Sequence, residues 1–201
     1  PGPKVGIAKL FDQPALSLKD VPPVPADANA VYVSSLDLAG IVKETLTVTD
    51  RLASFLPESD REELHQLRPS LNGLNRDLGV DIVSDVLEAL GSGWAIYDDP
   101  RNGVLGIGLG MAVQVRDSEK LKASLTSISK NLVTSARRVG IFFERRTEDA
   151  DYFVIKLPES PVFPTIGISD KWLAIGLQPQ AVRSFFLRAS GKLPSFSYNS
   201  L

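Results

Sequence analysis

The sequence predicts an α+β fold in which a mainly antiparallel sheet, built from hairpins, carries helices packed on one face. Three times a strand-like run ends at Asp or Pro and passes straight into an amphipathic stretch: VYVSSLD (31–37), GMAVQVRD (110–117) and WLAIGLQP (172–179). From Gly93 onward, short alternating apolar runs are separated by turn sequences, PRNG (100–103), TEDAD (147–151) and Asp170-Lys171, and alternation of period two is the pattern of a strand with distinct faces. Hydrophobic residues make up 43% of the 201 and charged residues 23%, which is ordinary for a globular domain and argues against disorder or a membrane bundle.

Residues 1–30 are rich in proline and read as an extended lead-in lying on the surface of a single domain over 31–191, with 192–201 a linker or the start of a further segment. Val31, Val33 and Ser35 alternate with Tyr32, Ser34 and Leu36 in the first strand. Asp37 is placed to cap a helix whose apolar positions Ile41, Val42, Leu46, Leu52 and Phe55 approximate helical spacing. Pro57 stops that helix and PESDREELHQL restarts one, with Glu58 and Asp60 in the first turn where carboxylates meet the positive end of the helix dipole. Pro69 and Gly73 are expected to break or kink it. A third helix is expected over DIVSDVLEAL (81–90), with Gly91 as its stop signal.

GWAIYDD and VLGIGLGMAVQV then read as one hairpin, IFFERR and DYFVIKL as a second, TIGIS and WLAIGL as a third. A helix from Ser118 to about Val139 separates the first two, and QAVRSFFLRAS closes the domain before Gly191. The first six elements follow the β-α-β-β-α-β order of a ferredoxin-like unit, so the fold is expected to start with one.

Composition excludes more chemistry than it suggests. The chain has no cysteine, which removes disulfides, thiolate zinc sites, thiol catalysis and iron–sulfur ligation. A net charge of −2, from 22 Lys and Arg against 24 Asp and Glu, is not the basic excess of a nucleic-acid binder. No run approaches the ~18 apolar residues of a membrane span, and the N-terminal residues lack a charged-then-apolar signal pattern. The abrupt PGPKVG start and SFSYNSL finish suggest a piece of a longer protein.

Several local patterns have both a chemical and an architectural reading. GIGLG (106–110) resembles a phosphate loop, but its glycines alternate within a strand and Met-Ala-Val-Gln-Val follows instead of a helix start; close backbone packing is the better account. His65, the single histidine, follows Glu62 at the spacing of di-iron bundles, which need that motif twice. A solvated helix face accounts for Glu62, Glu63 and His65. Asp98, Asp99, Glu148, Asp149 and Asp151 could serve a carboxylate- or metal-dependent hydrolase, or simply stand where turns place acids. Arg137, Arg138, Arg145 and Arg146 could converge on an anion, or could serve a helix end and cross-strand pairs with Glu148, Asp149 or Asp151. None of these groups forms a catalytic, cofactor-binding or metal-binding set, so no such residue is assigned and no cofactor is expected.

Three longer stretches carry a resemblance: VPADANAVYVSSLDL, LGVDIVSDVLEALGSGWAIYDD and ISDKWLAIGLQPQAVRSFF. Through Pro25 and Asp27, then Gly79, Asp81, Asp85, Leu87, Leu90 and Gly91, then Asp170, Leu173, Pro179 and Val182, the chain resembles a bacterial family of large exported or envelope-associated proteins classed as a domain of unknown function. It departs from that pattern in the helical stretch around 57–79. The resemblance implies a place outside the cytoplasm (periplasm, envelope or secreted) within a longer chain, and supplies no catalytic residues. The expectation is therefore a non-catalytic binding or scaffolding module for a protein or envelope polymer, with no nucleic-acid partner; the carboxylate-dependent hydrolase is the alternative.

Overall fold

The computed structural model describes residues 13, 15–16, 20–55, 57, 61, 66–103, 107–138 and 140–196. Seven strands form one sheet: β1 (Ala30–Ser35), β2 (Leu90–Asp98), β3 (Leu109–Val115), β4 (Phe142–Thr147), β5 (Asp151–Lys156), β6 (Thr165–Ile168) and β7 (Trp172–Gly176). Their order is β1-β2-β3-β7-β6-β5-β4, and every neighbouring pair is antiparallel. The α+β class and the antiparallel hairpin sheet are thus as the sequence predicts.

The ferredoxin-like start is corrected. That unit places its third strand beside the first, whereas here β1 lies at the edge and pairs with β2. A single helix would carry the chain back along the sheet and give a parallel crossover. Between β1 and β2, two helices, α1 (Leu38–Ala53) and α2 (Leu67–Leu78), and a turn instead return the chain to the end of the sheet it left. The one-helix crossover occurs later: α3 (Ser118–Arg138) leads from β3 to β4, with three strands between them. Its 21 residues measure about 31 Å at 1.5 Å per residue, enough to cross the ~19 Å of four strand spacings.

The expectation of helices on one face is also corrected. Strand residues are apolar on both sides, as in β7, where Trp172 and Ala174 belong to one core cluster and Leu173 to the other. A sheet patterned this way must be covered twice. On one face α4 (Pro179–Ala189) sets Phe185 and Phe186 against Tyr97, Tyr152 and Trp172, with edge-to-face rings at Tyr152–Phe186 and Trp172–Phe185. Gly167 allows this approach, since a Cβ there would run into the Phe186 ring and Val182. On the other face α3 sets Leu121 and Leu125 over Val113, Phe153, Ile168 and Leu173.

The three handovers are helix starts. Asp37 accepts from the Gly40 amide at 3.0 Å, Asp117 from the Lys120 amide at 3.0 Å, and Pro179 occupies the first turn of α4, where its missing N–H costs nothing. Pro69 breaks nothing for the same reason, falling in the first turn of α2. The helix expected over 81–90 is a six-residue π-helical turn, Ile82–Leu87. Asp81 caps it by accepting from the Val83 and Ser84 amides, and the Glu88 amide donates to the Val83 carbonyl five residues back. This wider turn ends early enough for Leu90 to open β2.

The described part of the lead-in is not wholly on the surface. Pro22, Val24 and Pro25 are fully buried, Pro25 bridges to Ser195, and the Phe196 amide donates to the Val24 carbonyl at 2.8 Å. Under the same face lies a buried ion pair, Arg188 Nη2 to Asp99 Oδ2 at 2.6 Å, with the side chains 1% and 0% exposed. Asp99 also accepts from the Arg101 amide and Asn102 Nδ2, which holds the 3-10 turn Pro100–Asn102.

Removing one partner of a buried pair strands the other charge. Arg188→Met is expected to cost about 3–5 kcal/mol in urea denaturation, and Asp99→Asn in the same chain to recover part of it. Burial, aided for Tyr152 by the Asp149 carboxylate, pushes the Tyr97 and Tyr152 phenols well above the usual tyrosine range. The unfolded chain releases these protons near pH ~10 while the folded chain keeps them. Stability is therefore complete below that pH and falls as pH rises through it; denaturation against pH should show a shallower alkaline loss in Tyr97→Phe.

Candidate functional site

α3 runs obliquely and leaves part of its sheet face open. The register places Tyr32, Ile96, Met111, Ile175, Ile166 and Phe153 in one row across six strands. The neighbouring row, containing Trp94, Val113, Leu173 and Ile168, lies under α3. In the open row Tyr32 is 64% and Ile96 46% exposed, and Leu109 beside them 47%. Ile96, Leu109, Met111, Ile175 and Leu177 line a shallow apolar depression of about 230 Å³. Exposed apolar patches, when large and contiguous, are the surfaces that proteins commonly use for contacts.

The row ends differently at the two sheet edges. At β4 the Arg145 guanidinium sits 5.6 Å from the Phe153 ring centre and pairs with Asp151 at 3.0 Å. At β1 it ends on exposed Tyr32 with no charge in the strand.

A second concavity, about 730 Å³, opens between the starts of α1 and α3 and is polar. Several of its charges are engaged: Lys43 pairs with Glu88, and Asp37 and Asp117 take up helix-start amides. The carboxylates that cap the helices also offset the positive helix ends there.

The candidate acids do not assemble. Asp98 and Asp99 lie at the end of β2 and Asp151 at the start of β5, four strand positions apart, or about 19 Å; paired glycosidase carboxyls stand about 5–9.5 Å apart. Within each pair the side chains go to different partners. Asp98 accepts from Asn29 at 2.9 Å while Asp99 holds Arg188. Asp149 accepts from Tyr152 Oη at 2.8 Å, whereas Asp151 accepts from Thr147 and Arg145. Burial alone would raise the Asp151 carboxyl, but those two donors outweigh it and hold it below the usual range. Glu148 lies 3.6 Å from Arg183. Among the described residues no group of three or more His, Cys, Asp or Glu is arranged to hold a metal.

Arg145 and Arg146 do not converge, since successive strand residues face opposite sides. Arg145 turns toward Thr126 of α3, and Arg146 pairs with Glu144 at 2.6 Å. That bond, with Lys156, draws the Glu144 carboxyl down to about 2. Arg137 and Arg138 are in the last turn of α3, but their side chains, like Glu62, Glu63 and His65, lie outside the described residues. In GIGLG, Gly110 lies beneath Tyr97, where a Cβ would meet the ring at 2.6 Å; Gly106 is outside the described residues.

Sequence reading missed the open row. Its signal was present as apolar residues on both faces of β2, β3 and β7, more than one helical layer can cover.

No protein-family model, curated protein or solved structure matches the chain. The fold and the open row define an α+β protein with one apolar sheet face only partly covered by the described residues. No helix among the described residues is long and apolar enough to cross a membrane.

Because Ile96 and Leu109 lie at the exposed end of the row, outside both core clusters, Ile96→Glu and Leu109→Lys are each expected to change stability by no more than about 0.5 kcal/mol. Leu121→Ala, on the buried side of α3, should cost about 2–5 kcal/mol. Chemical denaturation of the three variants side by side checks the distinction.

Proposed function

We propose that the chain is a non-catalytic binding or scaffolding module of a larger bacterial protein, working outside the cytoplasm, that holds a protein partner against its half-open sheet face. The observation that carries this reading is the exposed row through Tyr32, Ile96 and Met111 with Leu109 alongside. A protein surface suits it better than an envelope polymer. A glycan site needs directed hydrogen bonds as well as a flat ring, whereas this depression is lined by Ile96, Leu109, Met111, Ile175 and Leu177 with two glycines. Met111 adds a side chain that adapts to irregular apolar partners. The extracytoplasmic setting rests on the resemblance carried by residues such as Pro25, Asp27, Asp81 and Asp170.

A photo-crosslinking residue introduced in the full-length protein at Ile96 or Leu109, with Lys192 as control, tests the reading in cells. The expected result is one crosslinked protein at the first two positions, absent at the control and lost when Leu177→Glu is added. Equal labelling at all three positions, or none at Ile96 and Leu109, would overturn it. Recovery of the full-length protein in the cytosolic fraction would remove the proposed setting.

A further inference from the structure

The two edges of the sheet are built unlike each other. β4, Phe142–Thr147, carries Glu144, Arg145 and Arg146, all in ion pairs. Charges along an edge discourage the addition of another strand. β1, AVYVSS, has neither a charge nor a proline, its register with β2 is unbroken from Ala30 to Ser35, and its outer side has no strand partner among the described residues.

The free backbone groups of β1 can be located. The Leu36 amide donates to the Ser92 carbonyl and the Asp99 amide to the Gly108 carbonyl. In antiparallel ladders bonded positions alternate, so the even-numbered residues of β1 bond to β2. Val31, Val33 and Ser35 consequently direct their N–H and C=O groups outward.

We propose that two copies of this chain pair β1 with β1, antiparallel, about a twofold axis through Val33, joining two seven-stranded sheets into one. This register uses every outward group: Val33 bonds to the partner's Val33, and Val31 to the partner's Ser35 in both directions. It also matches large residues with small ones. Tyr32 falls opposite the partner's Ser34 on the open face, and Val31 opposite the partner's Ser35 on the other. With no charge in the strand, self-pairing brings no like charges together. Tyr32 ends the open apolar row at this edge, so pairing sets the exposed ends of the two rows side by side, each Tyr32 against the partner's Ser34. A self-complementary patch of this kind closes as a twofold dimer and leaves only the charged β4 edges outside.

Six residues give a ladder only about 20 Å long, smaller than a standard interface, so the dimer should dissociate on dilution. The proposal is independent of the partner reading above, because it concerns the strand edge and requires no other protein. Sedimentation of the wild-type chain at about 0.5 mM, which populates dimers of even near-millimolar affinity, is expected to give a species of twice the 21.8 kDa protomer mass. Val33→Lys and Val33→Glu each set like charges face to face on the axis and should sediment as monomers. Their equimolar mixture should regain the dimer mass, since opposite charges then meet. Val31→Pro removes only an outward donor and should also shift the chain to monomer, which keeps the test valid should the Val33 variants not fold. A wild-type chain that is monomeric at that concentration, a folded Val31→Pro variant that remains dimeric, or folded Val33 variants that do not re-pair on mixing would each overturn the proposal.

Discussion

The structure depends on the pairing of β3 with β7. The sheet consists of a three-stranded part, β1-β2-β3, and a four-stranded part, β7-β6-β5-β4, joined by this one ladder. Met111, Ala112 and Val113 stand opposite Ile175, Ala174 and Leu173, about sixty residues away along the chain. Until those residues meet there are two separate meanders, each with uncovered apolar surface, and loop closure over such a distance costs entropy before any contact offsets it. Both core clusters include residues from this seam. The seam therefore supplies part of the surface on which both α3 and α4 pack.

Covering a two-sided sheet requires two layers, and they are built by different means. α4 buries Ala181, Val182, Phe185, Phe186 and Arg188, and glycine at 167 lets its aromatic residues reach the strands. The opposite layer is one long helix set obliquely, with the π-helical turn filling the space beside it through Val86 and Leu87. A single helix covers a strip about 10 Å wide, against a seven-stranded width of about 29 Å. The open apolar row is the part of the face that this arrangement leaves over. It follows from the architecture, with no local exception to the packing rules.

Much of this was legible in sequence for reasons that are local. Asp37, Asp117 and Pro179 fix helix starts because capping and proline geometry involve residues only a few positions apart. The three hairpins were visible because turn residues and period-two alternation are also short-range signals. What could not be read is non-local. The strand order depends on β7 entering between β3 and β6, the burial of Val24 depends on Ser195 and Phe196 returning to it, and the buried role of Asp99 depends on Arg188, 89 positions away. Helices were expected on one face because apolar residues on both sides of a strand resemble a merely hydrophobic run. The π-helical turn escaped notice because Ile82, Val86 and Leu87 suit an α-helix equally well, and the need to place Leu90 in β2 decided the outcome.

Several of the carboxylates that suggest chemistry in the sequence are occupied in building this scaffold. Asp99 holds a turn and neutralises Arg188, Asp151 holds Arg145 and Thr147 across the β4–β5 hairpin, and Asp37 and Asp117 satisfy helix amides. For Asp151, where burial alone would raise the carboxyl, the Thr147 and Arg145 donors hold it below the usual carboxylate range. Arginine and carboxylate pairs stand along β4, whereas β1 and the exposed end of the open row at Tyr32, Ile96 and Leu109 carry no charge. The proposed partner site and the proposed strand pairing both draw on that asymmetry, one through apolar contact and the other through backbone hydrogen bonds.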